Sequence, residues 1–220
     1  MIILSDLSEV LISGLNGTTK LIYQAYGKEA FIKCWQRIKE TEEDFNNLMR
    51  GKMTEKDYYE VFFANNDFPF TEKEMRKFFS ESFQLSIPGT LDFYRRIVSC
   101  PKRIHDGIKF QKGMPDIYIV SDHIAERIDE IKGHHPEIFD IVKGEFWSCE
   151  LGRIKRDPHF FEDLLKELNV DAREVIFIDD SFGNILAARR AGIYGIHFMN
   201  ADQLNLELFQ LGFDIRPKNP

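Results

Sequence analysis

The chain has 220 residues, of which 43% are apolar, and carries a formal net charge of −7. That is enough apolar material for one large domain or for a core with an insertion. The acidic balance argues against nucleic acid as a partner, because its phosphates would repel the chain. No apolar run approaches the ~20 residues that a membrane-spanning helix requires.

The N-terminal apolar run is too short for a signal peptide and has no basic flank. A cytoplasmic protein without a membrane partner is expected. Cys34, Cys100 and Cys149 are scattered and odd in number, so they read as reduced thiols.

In chain order, Ile2–Leu4 is a first strand-length apolar run, and Asp6 follows it closely. The stretch from Leu15 to Ile87 contains no strand-like run. Thr54-Glu55-Lys56-Asp57 and Thr71-Glu72-Lys73-Glu74 each read as a capping box ahead of aromatic-rich amphipathic sequence. An all-helical insertion of roughly 70 residues is therefore expected over 15–87, flanked by a core made of 1–14 and 88–220. The insertion's Phe62, Phe63, Phe78 and Phe79 read as its own core, with one or two of them open to face a cleft. Pro88-Gly89 marks the return to the core. Ser99–Asp116 reads as a long surface loop or a hairpin.

The later part alternates strand and helix. Ile117–Val120, Val175–Ile178 and Gly195–Phe198 are apolar on both faces, as central parallel strands are. Glu145–Trp147 is a weaker candidate. In DPHFFEDLLKELNV, Asp157 reads as an N-cap and Pro158 as the first helical residue, with Phe161, Leu164, Leu165 and Leu168 on one face. In GNILAARRAGI the helix is expected to stop at Gly192. The fold class is α/β, a Rossmann-like parallel sheet with helices on both faces and an all-helical cap insertion.

Asp6, Ser121 and Asp179-Asp180 each follow a strand, and ligands of such sheets bind beyond the strands' carboxyl ends. Carboxylates gathered there repel one another unless a cation lies between them. Mg²⁺ suits an all-oxygen donor set. Lys155, in GRIKRDP, lies at the same edge and would balance charge and grip an anion.

Four motifs carry a family resemblance: ILSDLSEVL, IVSD, Lys155 in GRIKRDPHFF, and VIFIDDSFGN followed by AARRAGI. In that order they resemble the haloacid dehalogenase superfamily, and RGKMTEKDYYEVF resembles part of its C1-type helical cap. The resemblance implies a Mg²⁺-dependent hydrolase acting on a small phosphorylated metabolite, as a monomer or homodimer. Asp6 would be the nucleophile and a metal ligand, and Ser8 would offer its backbone carbonyl to the metal. Ser121 would bind phosphoryl oxygens, with Ser8 and Asp122 also at the phosphate. Lys155 would neutralise Asp6 and the phosphate, Asp180 would bind metal directly, and Asp179 would support it. Asn184 would tie the last loop together.

The chain also departs from the family's usual pattern. Most phosphatases of the superfamily read D-x-D in the first motif, whereas Ser8 stands at the second position. A serine hydroxyl cannot act as the general acid or base, a role worth roughly 10²–10⁴-fold in rate. Some relatives read D-L-G-x-V-L and also lack it. Arg156 stands where Pro is usual, and Asp122 where Asn is commoner; Asp122 offers a substitute acid. Glu9 is one position too far along to replace Ser8. Two other readings share the fold: a 2-haloacid dehalogenase that needs no metal, and a non-catalytic binding protein. Arg50, Lys52 and Arg153 are possible substrate contacts. The histidines read as structural, with His123 the nearest to substrate.

Overall fold

The computed structural model describes residues 1–99 and 115–213. Five strands, β1 (Ile2–Ser5), β2 (Asp116–Ser121), β3 (Gly144–Trp147), β4 (Val175–Asp179) and β5 (Tyr194–His197), form one sheet in the order β3-β2-β1-β4-β5. All four pairings are parallel, with Ile3 level with Ile117 on one side and Ile176 on the other. The weak candidate at Glu145–Trp147 is thus a true edge strand. Its polar composition reflects a face that is only partly covered.

Alternation along the strands divides the core into two clusters, as a two-residue side-chain period requires. Ile3, Ile117, Ile119, Ile176 and Ile178 join one cluster, and Ile2, Leu4, Val120, Val175 and Phe177 the other. On the first face lie α5 (Thr90–Ser99), α6 (Ile128–His134) and α11 (Ala201–Gln210), through Ile97, Ile131, Leu204 and Leu208. On the second lie α9 (Phe160–Leu168) and α10 (Phe182–Arg190). Short helices α7 (Pro136–Phe139) and α8 (Ser148–Leu151) complete the chain around β3.

Between β1 and α5 run four helices, α1 (Leu15–Glu40), α2 (Glu42–Met49), α3 (Glu55–Phe63) and α4 (Glu72–Phe83). Thr54 with Asp57, and Thr71 with Glu74, form complete capping boxes at the starts of α3 and α4. Helix α1 is broken at Gly27, whose φ of 84° and ψ of −177° suit a residue without a β-carbon. Phe62 and Phe79 are buried; Phe62 stacks on Phe68, and Phe63 meets both edge to face. These helices are tied to the sheet region by Arg50 with Asp157, at 2.8 and 2.6 Å, and by buried Glu55 with Arg127 at 2.7 Å.

The start of α9 differs from the sequence expectation. Its first residue is Phe160, preceded by His159 in a left-handed conformation, and Asp157 is not its N-cap. The Asp157 carboxylate instead accepts from Ile154 N–H and pairs with Arg50. A tertiary ion pair has taken the side chain that local sequence offers as a cap. Gly192 does terminate α10: its N–H donates to Arg189 and that of Ile193 to Ala188, at φ 85°. Most of the loop expected over Ser99–Asp116 lies outside the described residues.

Candidate active site

Strand β1 is central, and the chain leaves it toward β2 on one side and later returns to β4 on the other. The crevice at such a reversal of strand order is where ligands of open α/β sheets bind. Asp6 directly follows β1, and its N–H extends the ladder to Ile178 at 2.8 Å. Asp179 ends β4, Asp180 follows it, and Ser121 ends β2. Oxygens of Asp6, Asp179 and Asp180 lie within 4.8 Å of one another.

Lys155 reaches this cluster from the loop before α9. Although 1% exposed, its ammonium lies 2.8 Å from Asp6 Oδ1 and 2.7 Å from Asp179 Oδ2. Burial opposes its charge, but Asp179, Asp6 and Asp122 override that cost and hold its pKa above the ordinary value. The two bridged carboxylates are not equivalent. Asp179 is fully buried and also accepts from Ser181 N–H and the Asn184 amide. Asn184 thus ties the α10 start to β4. The Asp180 carboxylate takes no hydrogen bond from Lys155, Ser181 or Asn184, and it lines a cavity with Asp6 and Ser8.

Asp6 Oδ1 receives Leu7 N–H at 2.7 Å as well as Lys155, while Oδ2 takes no hydrogen bond among the described residues. Burial pushes the Asp6 carboxyl well above its usual range, against the pull of Lys155 and with help from Asp179 and Asp180. Asp180 is pushed up to about 6 by burial and by Asp179. Asp122 accepts from Lys155 N–H at 3.0 Å and is likewise pushed up to about 6 by burial. Four acids therefore face one lysine. An oxygen-only donor set with excess negative charge fits a hard divalent cation such as Mg²⁺; Asp6 and Asp180 have the freer oxygens to hold it.

Ser121 is 1% exposed and its hydroxyl has no partner among the described residues. A buried hydroxyl left in this state calls for an explanation, and a bound anion would supply one. Ser8 borders the cavity. Glu9 does too, but its carboxylate accepts from Gly14 and Asn16 N–H, at 2.9 and 3.0 Å, while its backbone sits at φ 61°. It secures the turn into α1. His123 also borders the cavity; burial lowers its imidazole to about 4, and Nδ1 accepts from Ile124 N–H.

The expected substrate contacts at Arg50, Lys52 and Arg153 are not brought to this cavity. Arg50 pairs with Asp157 and Glu43, Arg153 pairs with Asp163, and Lys52 borders a separate surface depression. The wall opposite the acids instead comprises Leu15, Trp35, Phe45, Met49, Phe79 and Phe83. Of these the sequence singled out only Phe79. The i, i+4 spacing of Phe79 and Phe83 marks a common helix face, but which face meets the cleft depends on packing. Arg156 also borders the cavity, where sequence marked it only as a departure.

The fold aligns with an enzyme of Bacteroides thetaiotaomicron solved as a magnesium complex, with TM-score 0.66, 18% identity, and 95% of this chain and 98% of that one covered. It aligns as well with the L-2-haloacid dehalogenase of Xanthobacter autotrophicus, with TM-score 0.62, 14% identity and coverage of 99% and 85%. In sequence, the chain is 29% identical to the sesquiterpene phosphatase astK of Aspergillus oryzae over 58% of this chain and 68% of that protein. It is 39% identical to the chloroplast flavin mononucleotide hydrolase 1 of Arabidopsis thaliana, over 32% and 29% of the two chains. Residues 1–192 match the model of the haloacid dehalogenase-like hydrolases, and the chain belongs to that family.

Proposed function

We propose that this hydrolase is a Mg²⁺-dependent phosphatase acting on a small phosphate monoester. The observation that carries the proposal is the Asp6–Lys155–Asp179 bridge with Asp180 open beside it. Two sequence relatives, the sesquiterpene phosphatase and the flavin mononucleotide hydrolase, act on phosphorylated small molecules by their names. The orphan Ser121 hydroxyl supports an anion site.

In this reading Asp6 attacks phosphorus as the ester P–O bond breaks, giving an aspartyl-phosphate and the free alcohol. The leaving oxygen takes its proton from Asp122, the acid in the cavity that substitutes for the one absent at position 8. Water then cleaves the acyl-phosphate and restores Asp6. Lys155 pulls Asp6 toward its ionised form and offsets charge on the phosphoryl group, and Ser121 donates to a phosphoryl oxygen. The Ser8 backbone carbonyl would join Asp6 and Asp180 around Mg²⁺, with Asp179 behind them; the ion would neutralise charge on the transferring group. Helices α1–α4 form a cap that screens this chemistry from bulk water.

The test is phosphate release from a panel of monoesters with Mg²⁺ and with EDTA. Release that needs Mg²⁺ is expected. Chloride release from 2-chloropropionate that survives EDTA, with no phosphate release, would instead establish the metal-free dehalogenase reading.

A further inference from the structure

The cavity above the acids holds about 400 Å³, a volume suited to a small-molecule ligand. Its lining joins the acid cluster to a set of apolar helix residues, with the amides of Asn16 and Asn46 among them. The floor carries Asp6, Asp122 and Asp180, whereas the opposite wall is built from Leu15, Trp35, Phe45, Met49, Phe79 and Phe83. None of these six can donate to or accept from a hydroxyl-rich ligand except through the single indole N–H of Trp35. The cavity is asymmetric in the sense of an amphipathic ligand, with an anionic head and an apolar body.

The apolar wall does not end there. A second depression of about 630 Å³ runs along α1 and α2, bordered by Phe31, Ile32, Trp35, Ile38 and Phe45 together with Gln36, Lys39 and Glu42. Leu15, Trp35, Phe45, Asn46 and Arg156 belong to the walls of both spaces. The two are thus successive sections of one path that starts at the acid cluster and leaves between the helices. Ile32 is 42% exposed, and Trp35 and Phe45 are half-buried. Arg156 stands at the junction, exposed, with no close ion pair among the described residues but with its charge acting on Asp122. It marks the border at which a charged head gives way to its tail.

We infer that the substrate is the phosphate monoester of an extended apolar alcohol, aliphatic or terpenoid, whose tail follows the Trp35–Phe45 path while its phosphate meets Asp6. This rests on the phosphatase reading and narrows it. A sugar or nucleotide phosphate would find only Trp35 N–H and the amides of Asn16 and Asn46 along this wall, and would leave most of its hydroxyls or ring nitrogens there unpaired. The tail instead gains from every methylene it buries.

The experiment is a series of n-alkyl phosphates from propyl to dodecyl, with farnesyl phosphate, glucose 6-phosphate and flavin mononucleotide alongside, assayed for phosphate release with Mg²⁺. Burial of a full methylene corresponds to roughly fourfold in binding, and a path open on one side to about half that. So kcat/KM is expected to rise about twofold per methylene, mainly through KM, and farnesyl phosphate to exceed glucose 6-phosphate by on the order of 100-fold. In Trp35→Ala the slope flattens. A direct binding readout uses n-alkyl phosphonates, which cannot be hydrolysed. Trp35 emission shifts to the blue as the tail excludes water, and Trp35→Phe abolishes the shift, since the other tryptophan, Trp147, is already 2% exposed.

A flat chain-length profile in an enzyme that hydrolyses glucose 6-phosphate or flavin mononucleotide faster overturns the inference and leaves the phosphatase reading intact. Release from none of the esters overturns both. The wild-type series alone decides the matter if a Trp35 variant fails to fold.

Discussion

The floor of the cavity is made from strand tips, and its roof from helix faces. On the floor, Asp6, Asp179 and Lys155 are each fixed by several contacts. The sheet ladder holds Asp6, the first turn of α10 holds Asp179, and one buried ammonium joins the two. On the roof, Trp35, Phe45 and Met49 are half-buried side chains on helices that are tied to the core at their edges, through Arg50–Asp157, Glu55–Arg127 and Ser148 with the Met49 carbonyl. Register fixes a sheet tip as a set: a slip of one residue would turn every side chain to the other face. A helix face can be repacked by changing side-chain volume alone. The chemistry of this molecule is therefore bound to its topology, whereas its selectivity is free to vary.

The largest effect should follow from breaking the floor chemically while keeping its shape. Asp6→Asn is expected to lower kcat on the order of 10⁴-fold or more. It also removes one of the clustered negative charges, so without Mg²⁺ the variant should melt at or above the wild-type temperature. A variant that keeps a tenth of wild-type turnover would refute the nucleophile assignment. Lys155→Met breaks the floor electrostatically. Removing the buried ammonium from this set of acids should cost roughly 3–5 kcal/mol in urea unfolding in the absence of Mg²⁺. Added Mg²⁺ should restore part of that, because it binds only the folded cluster. Equal stability of variant and wild type in EDTA would show that the acids do not need Lys155.

Ser8→Asp sharpens the comparison by supplying the acid that the floor lacks. Turnover is expected to rise at least about tenfold, within the usual worth of general acid–base help. Asp122→Asn should slow the wild type by about the same factor but have little effect in the Ser8→Asp background, since the proton then has another source. Additive losses in the two backgrounds would remove Asp122 from the proton's path.

The same contrast explains what could be read from the sequence. Strands β1, β2 and β4 are visible because they are apolar on both faces, and each tip residue follows from where its strand stops. Convergence of Asp6 with Asp180 follows once β1 and β4 are neighbours. The roles within the pair are harder to read: two adjacent acids look alike in sequence, yet one is saturated by Lys155, Ser181 and Asn184 while the other is open. Asp157 looked like a cap because the residue suits one, and only tertiary structure shows Arg50 claiming it. The roof was illegible for a physical reason. Trp35 reaches the cavity after the chain breaks direction at Gly27, and no periodicity encodes the angle at which two helix segments then diverge.

The smallest effect probes the roof's own construction. Glu74 closes the capping box of α4 by accepting from Thr71 N–H and also accepts from the Tyr26 hydroxyl on α1. The Tyr26 hydrogen bond, with those from Thr71, lowers its carboxyl to about 2 from an ordinary 4.5. A depressed native pKa means that the contribution to stability is fully present above pH 4.5 and fades as pH falls toward 2. Glu74→Gln keeps a neutral acceptor at every pH. The urea midpoint of the wild type should therefore exceed that of the variant at pH 6.5, and the gap should narrow by pH 3 and close only below pH 2. Because the side chain meets solvent, the gap will be small even at its widest. A gap that persists unchanged in acid would mean that Glu74 serves the roof by shape alone, and that the charge at the head of α4 contributes nothing to holding Tyr26 and α1 in place.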